Sequence, residues 1–367
     1  KIIYKNDKNW ISPLDNDIEA VFDAQKNNFH AHGKCNRWIL FDDEGKPWGR
    51  IAAFINNNKA YNYEQPTGGI GFFECIDNQE LAFTLFDTAQ QWLEGQGMKA
   101  MDGPINFGEN DNFWGLLVEG FTPPSYGMNY NPPYYQKFFD NYGFKTLYQQ
   151  ITNHLEVNKP FPERFRKITD WIIKKPGYQF KHFQIRSINK FAADFKEIYN
   201  DAWHDFENFT PIDQGTILES FKKMKPIMDE KMIWFAYIND EPAAFVVILP
   251  DANQMIHSLN GKLNLLGKLK FLYNKWRGVT RMRAIVMGTK KKFQNHGLES
   301  ALFMKLVDYV VPLKQYDELE LSWVGDFNEK MIAIHHAIGA TFGKRHLTMR
   351  YKFKIERVKT EQGVIRQ

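Results

Sequence analysis

The chain of 367 residues carries the same order of predicted secondary structure twice, and this repeat limits the folds that it can adopt. Each copy begins with two apolar runs joined by a turn that contains an acidic residue and a proline, a pattern typical of a β-hairpin. The hairpins span residues 37–56 and 231–249. After each hairpin the pattern predicts a third strand, an amphipathic helix, a fourth strand, a short helix and a last strand.

Two pairs of equivalent residues support a duplication. Pro47 and Pro242, in the two hairpin turns, are 195 positions apart, and Gly143 and Gly339, which end the two short helices, are 196 positions apart. Such a constant separation is hard to obtain by accident. We therefore predict an α/β architecture of two tandem domains, each with a mixed central sheet flanked by helices.

The two copies differ in their loops. The second has an extra segment at residues 251–278, and the first has a long loop at 108–131. Loops of this length are uncommon unless they form lids or binding sites. Two prolines interrupt the pattern at residues 158–164, which places the boundary there. The predicted domains are residues 1–158 and 159–367.

Composition argues against several classes of function. The formal net charge of +4 is small for this length, so no nucleic-acid partner is expected. Cys35 and Cys75 fit neither a disulfide framework nor a metal-ligand spacing, which favours a reducing cytoplasm and no metal site. No uncharged apolar run of about 18 residues is present, and residues 1–17 lack the pattern of a signal peptide, so stable membrane insertion is not expected.

The turn before the main helix of the second copy, residues 290–302, reads KKKFQNHGLESAL. Backbone amides at a helix N-terminus can bind a pyrophosphate, Gly297 would permit its close approach, and Lys290–Lys292 would attract it. The equivalent turn of the first copy, residues 74–81 (ECIDNQEL), has no glycine and three acidic residues. Two interpretations of the second turn remain open, a phosphate-binding loop and a solvated lysine loop before an ordinary helix.

In its element order and in this turn, the second copy resembles the GNAT superfamily of acyl-CoA-dependent N-acyltransferases. The superfamily has an Arg/Gln-x-x-Gly-x-Gly/Ala loop, which corresponds here to residues 294–299, with Glu299 in place of the last small residue. The resemblance implies that acetyl-CoA or another acyl-CoA binds to this loop, to the strand before it and to the start of the next short helix. The residues that it implies for this site are Ile285, Val286, Met287, Gln294, Asn295, His296, Gly297, Leu298 and Asn328. The first copy resembles a GNAT domain that has lost cofactor binding.

The same resemblance implies catalytic residues. His335 occupies the position of the tyrosine that often protonates the leaving CoA thiolate, and an imidazole can donate a proton near neutral pH. The alternative is a histidine that packs or forms a hydrogen bond. Glu318 and Glu320 alternate onto one face of the predicted fourth strand, where the superfamily often places its general base. Their alternative is a pair of solvent-facing charges.

Two polar, aromatic stretches are candidates for the acceptor site. Asp251, Asn253 and His257 follow the second hairpin, and Tyr134 and Tyr135 precede the short helix of the first copy. Their number suggests a cleft that binds the amine of a small molecule or a peptide. The alternative is that these residues only set turns.

The apolar and basic segment at residues 263–278 is interpreted as an insertion helix that packs on its own domain, with a lid or a membrane contact as alternatives.

Three functional hypotheses follow. The first is an acyl-CoA-dependent N-acyltransferase, in its simplest form an N-acetyltransferase. The second is a non-catalytic GNAT-like protein that binds a small molecule or a protein, with which Glu299 and the missing tyrosine are consistent. The third keeps the tandem fold but uses aminoacyl-tRNA, as FemX-like peptidoglycan enzymes do, and the small net charge argues against it.

Overall fold

The structure is a computed structural model that describes residues 1–160, 163–205, 211–354, 357–360 and 363–366. The chain divides into two compact units. The first unit consists of Lys1–Gln150 and Lys344–Gln367, and the second consists of Ile151–Gly343.

The elements of the first repeat follow the predicted order, with α1 added before the hairpin and β5 added in the long loop. In chain order they are α1 (Asp15–Val21), β1 (Gly33–Phe41), β2 (Pro47–Asn56), β3 (Thr67–Cys75), α2 (Gln79–Gly95), β4 (Ala100–Gly103), β5 (Leu116–Glu119), α3 (Tyr135–Tyr142) and β6 (Lys145–Glu156).

The second repeat has additional helices before its hairpin and after it. Its elements are α4 (Glu163–Ile173), β7 (Tyr178–His182), α5 (Ile188–Trp203), α6 (Gln214–Met224), β8 (Ile233–Ile238), β9 (Glu241–Pro250), α7 (Ala252–Ile256), α8 (Leu265–Arg277), β10 (Arg281–Thr289), α9 (Leu298–Leu313), β11 (Glu318–Glu320), β12 (Val324–Gly325), α10 (Glu329–Ala337) and β13 (Thr341–Lys352). A hairpin of β14 (Arg357–Thr360) and β15 (Gly363–Arg366) follows.

The predicted hairpins, third strands, main helices and short helices are all confirmed. The fourth strands differ from the prediction. The first, β4, is only four residues long and ends at Gly103, and the second is divided into β11 and β12. The long loop at 108–131 contains β5, and the insertion at 251–278 contains α7 and α8.

In the first unit, β1, β2 and β3 form antiparallel neighbours, β3 pairs in parallel with β4, and β4 pairs with β13. The helix α2 buries Leu85, Phe86, Ala89 and Leu93, whose spacing places them on one helical face. They pack in one cluster with aromatic residues of β3 and α3, among them Phe73. This cluster is the core of the first unit.

In the second unit the sheet order is β6, β11, β10, β9, β8 and β7. The strand β9 is buried on both faces, because Val246 packs in the cluster that contains α9, while Phe245 and Val247 pack in the cluster that contains α5 and α6. The second unit therefore has three layers, with helices on both faces of its sheet.

The compact units do not follow the division at residues 158 and 159. The last strand of the first repeat, β6, pairs with β11 in the second unit. The last strand of the second repeat, β13, pairs with β4 in the first unit. Each unit is therefore completed by a strand from the other repeat, and the predicted boundary describes the repeats in the sequence.

The helix α8 differs from its interpretation. It was expected to bury its apolar residues on its own domain, but Gly267 is its only buried residue. In the part of the chain that the structure describes, every helix is too short or too polar to span a bilayer.

Candidate active site

The strand β10 is irregular at the residues predicted to bind the acyl donor. Its register with β9 shifts between Ala284 and Val286, which makes Ile285 the extra residue of a β-bulge. The parallel pairing of β10 with β11 ends at Arg283 and Glu320, whereas β10 continues beyond it. In the described residues, the part of β10 that contains Val286 and Met287 therefore has no register with β11.

Ser322, just after β11, fixes the backbone of the bulge. Its hydroxyl lies 2.7 Å from the carbonyl oxygen of Ala284 and 2.9 Å from that of Ile285, in position to donate to them. Sequence reasoning missed this residue, because a serine after a short strand has no distinctive pattern.

The start of α9 has the features of an anion-binding helix end. Its N-cap residue, Gly297, has a φ of +75°, and no side chain caps the helix among the described residues. The first intrahelical bond runs from the Ala301 amide to the Gly297 carbonyl oxygen at 3.1 Å. The amides of Leu298, Glu299 and Ser300 therefore have no helical acceptor and point out of the positive end of the helix.

The loop before α9 makes a tight turn. Asn295, like Gly297, has a left-handed φ, here of +65°, and such turns place successive amides on one side of the backbone. His296 contacts Tyr178, with 3.0 Å between its Nδ1 and the tyrosine hydroxyl. Gln294 and Asn295 are partly or fully exposed beside it.

The three lysines before this loop do not present an unbalanced positive charge. Lys290 pairs with Glu197 and Glu241, and Lys292 pairs with Glu241 at 2.7 Å. Lys291 pairs with Asp205 at 2.5 Å. The expected attraction of these lysines for a phosphate is therefore offset, and they attach the loop to the carboxylates of its own unit.

His335 on α10 is buried. The side-chain amide of Asn153 donates to its Nδ1 at 3.1 Å, and burial, with a smaller contribution from His336, lowers its pKa to about 4. The imidazole is therefore neutral at pH 7 and has no second proton to donate. This environment fits the alternative of a packed, hydrogen-bonded histidine, and the general-acid role stays a prediction.

Glu318 and Glu320 lie on one face of β11, beside a histidine of the neighbouring strand β6 that sequence reasoning missed. Glu320 is fully buried and lies opposite His154 of β6 in register. Glu318 forms a close hydrogen bond with Nδ1 of His154, and this bond lowers its pKa. The alternative of two solvent-facing charges is wrong for Glu320. Because β6 comes from the first repeat, no local pattern could have placed His154 here.

The predicted acceptor residues of the second unit differ in exposure and in their hydrogen-bond partners. Asp251 is buried and pairs with Arg281, at 2.9 Å from Nε and 2.6 Å from Nη2. It also caps α7 by accepting from the amide of Asn253, which is itself buried. His257 is exposed, with its Nδ1 2.9 Å from the carbonyl oxygen of Gln254. Asp251 therefore has a structural role.

Tyr134 and Tyr135 lie in the first unit and bond to β3. The Tyr134 hydroxyl donates to the Cys75 carbonyl oxygen at 2.9 Å. The Tyr135 hydroxyl donates to Glu74 at 2.9 Å and accepts from the Cys75 amide at 2.7 Å. These bonds hold both side chains against β3, and their role in an acceptor site stays a prediction.

Asn328 is the N-cap of α10, where its side-chain oxygen accepts from the Met331 amide at 3.2 Å. Its predicted contact with the acyl donor would use the side-chain NH2 group.

No family model matches the chain. Over 353 residues the chain is 30% identical to the protein called bacterial ceramide synthase of Caulobacter vibrioides, an alignment that covers 93% of this chain and 89% of that protein. It is 29% identical to Protein YghO of Escherichia coli over 355 residues, with 94% and 88% covered.

Two solved structures share the fold at low sequence identity. The tandem GNAT protein from the clavulanic acid biosynthesis pathway has a TM-score of 0.52, is 10% identical and covers 88% of this chain and 83% of its own. A GCN5-related glucosamine N-acetyltransferase region of a fungal β-N-acetylglucosaminidase has a TM-score of 0.54, is 12% identical and covers 95% of this chain and 36% of that protein. The predicted GNAT fold and its tandem arrangement are confirmed.

Proposed function

Because the chain belongs to the family of the bacterial ceramide synthase of Caulobacter vibrioides, we propose that it transfers the acyl group of an acyl-CoA to an amine. The observation that carries the proposal is the uncapped start of α9 in the same unit as the bulge in β10. A helix end of this kind suits a pyrophosphate, and the side of β10 that has no register with β11 beyond Arg283 suits an extended amide chain.

The second unit has separate groups for the two parts of such a donor. The amides of Leu298, Glu299 and Ser300 would bind the pyrophosphate, and the backbone of Ile285–Met287 would bind the pantetheine arm and the thioester oxygen. When bound, the acyl-CoA would supply a thioester. The amine nitrogen would bond to its carbonyl carbon, the C–S bond would break, and CoA would leave as the thiol, with the second proton of the ammonium released to the base. Glu299 opposes this binding through its charge, although its backbone amide contributes to it.

His154 is our candidate for the general base. The Glu318 carboxylate accepts from Nδ1 of the ring, which leaves Nε2 to take a proton from the acceptor ammonium. Glu318, predicted as a base itself, then has the role of holding the ring in one tautomer. Glu320 lies opposite His154 and would stabilise the protonated ring.

Gly343 keeps space for the His154 ring. A Cβ atom at this glycine would overlap ring atoms of His154, so any other residue would displace the ring from its position. A substitution at Gly343 thus offers a second way to disturb the proposed base.

The acceptor proposed here is a long-chain amino alcohol. A ceramide is the amide that such an alcohol forms with a fatty acid, and the name of the relative denotes an enzyme that makes this product. Transfer of an acetyl group to a small amine is the alternative, supported by one structural neighbour that is named a glucosamine N-acetyltransferase. Titration with acyl-CoAs of different lengths and thiol release with different amines determine the preferred acyl chain and the class of amine.

Calorimetric titration with acetyl-CoA and with longer acyl-CoAs tests the donor, and thiol release in the presence of a long-chain amino alcohol or a small amine tests the acceptor. The proposal requires binding of at least one acyl-CoA and amine-dependent thiol release. If no acyl-CoA binds at about millimolar concentration, the proposal is overturned. If acyl-CoA binds but no amine releases thiol, the protein is a binding module, which the lowered pKa of His335 would then explain.

A further inference from the structure

The helix α8 exposes its apolar residues instead of burying them. The exposed fraction runs from 56% at Tyr273 to 80% at Trp276. Its exposed apolar side chains are Leu265, Leu266, Leu269, Leu272, Tyr273 and Trp276. An ordinary surface helix turns such residues towards the core, so the orientation of α8 requires another explanation.

The exposed residues form one continuous stripe. At about 100° per residue, all six lie within a sector of about 120° on the helix. The less exposed positions Gly267, Phe271 and Asn274 lie on the opposite side. The stripe therefore points directly away from the part of the helix that attaches to the protein.

The attachment of α8 is specific. Asn274 donates to the carbonyl oxygen of Met255 at 2.9 Å, and Lys275 donates to that of Pro226 at 2.6 Å. Gly267 lies so close to the loop before the helix that an added Cβ atom would overlap the Lys262 carbonyl oxygen. These contacts fix which face of α8 is outermost.

Basic residues flank the stripe on both sides. Lys270 and Arg277 lie along one edge, and Lys268 and Lys275 lie along the other, given the same helical geometry. The sequence contains no acidic residue between Asp251 and Glu299. An apolar stripe with basic edges and aromatic residues is complementary to the apolar interior and anionic head groups of a lipid bilayer.

We propose that α8 is a membrane-docking helix that lies in the plane of an anionic lipid surface, with its leucines and Trp276 inserted below the head groups. A second copy of the chain is a poorer occupant, because it would bring together two acid-free basic segments. This inference does not rest on the proposed acyl transfer, since the binding is measured without an acyl-CoA.

Flotation with phosphatidylcholine vesicles, with and without about 30% phosphatidylglycerol, tests the proposal. The full chain should float with the anionic vesicles, and Leu269→Glu/Trp276→Glu should reduce the bound fraction at least about tenfold. The matched control is Ile168→Glu/Trp171→Glu on α4, where two exposed apolar residues undergo equivalent changes and binding should persist. Circular dichroism shows whether each variant is folded.

Three results would overturn the proposal. The first is that the full chain does not float with anionic vesicles. The second is that the α8 variant floats as well as the α4 control variant. The third is that light scattering shows a dimer and that the α8 substitutions convert it to a monomer, which would identify the stripe as a contact between copies.

The basic residues beside the stripe have a test of their own. Lys268→Gln/Lys270→Gln should lower binding to the anionic vesicles by roughly fivefold for each charge removed. An unchanged affinity would contradict the proposed attraction between these lysines and the anionic head groups.

Discussion

The two units place different side chains at one equivalent position. His154 and Arg350 are 196 residues apart, the same separation as Gly143 and Gly339, and each lies on a strand exchanged between repeats. Arg350 makes a two-bond ion pair with Asp102, at 2.6 and 2.7 Å. The carboxylate opposite His154 is Glu320.

This difference separates a permanent charge pair from a group that can move a proton. An arginine stays protonated at any ordinary pH, so Arg350 can hold the first unit together but cannot accept a proton. A histidine can accept one near neutral pH. At this equivalent position, only the side chain of the second unit, His154, is of a type that can act as a base, although both units have the same strand arrangement.

The N-termini of the two main helices, α2 in the first unit and α9 in the second, also differ. In the first unit, the side chain of Asn78 caps α2 by accepting from the Leu81 amide at 3.2 Å. The backbone of Ile105 fills the space beside β3, because a Cβ atom at Gly71 would overlap the Ile105 carbonyl oxygen. The α9 start has no such cap among the described side chains. We expect acyl-CoA binding in the second unit and none in the first.

The largest effect should come from removing the proposed base. His154→Ala should lower kcat about a thousandfold with little change in affinity for acyl-CoA, because only the proton transfer is lost. Steady-state kinetics at saturating acyl-CoA measures kcat, and calorimetric titration of the same variant measures the affinity for acyl-CoA.

Arg350→Gln is the equivalent change in the first unit. It should lower stability, since it leaves Asp102 buried without its guanidinium, but kcat per folded molecule should remain. Equal losses of kcat in the two variants would remove the functional distinction between the units.

The sequence predicted the elements of each repeat but not the exchange of their last strands. Apolar periodicity and turn residues are local, so they identified both hairpins and both main helices. The partner of a strand depends on contacts far along the chain, so the local patterns of β6 and β13 did not reveal that β6 pairs with β11 and β13 with β4. For this reason the sequence indicated Glu318 and Glu320 on one strand, whereas the neighbouring His154 became visible only in the structure.

The second prediction concerns His335, whose counterpart 196 residues earlier is Phe139, a residue that cannot titrate. Burial lowers the pKa of His335 to about 4 from the ordinary value of 6.5, so the folded state resists protonation. The contribution of the neutral His335 to the free energy of unfolding is fully present above pH 6.5. It falls by about 3 kcal/mol as the pH drops to 4, because the unfolded state takes up a proton that the folded state resists. Urea unfolding at several pH values measures it.

His335→Gln is the control for this pH dependence, because glutamine can accept from Asn153 without titrating. The variant should lose less stability than the wild type between pH 6.5 and pH 4. Parallel losses in both proteins would show that another group causes the effect.

A smaller effect is expected from a negative charge at the start of α9. Ser300→Glu should favour the helix itself but repel a pyrophosphate, and affinity for acyl-CoA should fall about a hundredfold. The matched change at the start of α2, Gln79→Glu, should leave affinity unchanged, because that helix end is capped by Asn78. Calorimetric titration of both variants decides between the two helix ends, and equal losses would contradict binding at α9.

The smallest effect concerns Glu299, an acidic residue in the first turn of α9. The first copy has an equivalent residue, because Glu80 lies in the first turn of α2. Glu299→Ala should raise affinity for acyl-CoA by roughly threefold to tenfold, because a like charge is removed while the backbone amide stays in place. The same titration with Glu80→Ala should show no gain. A fall in affinity on Glu299→Ala would mean that the carboxylate contributes a favourable contact to the donor, and the departure from the superfamily loop would then be part of how this family binds it.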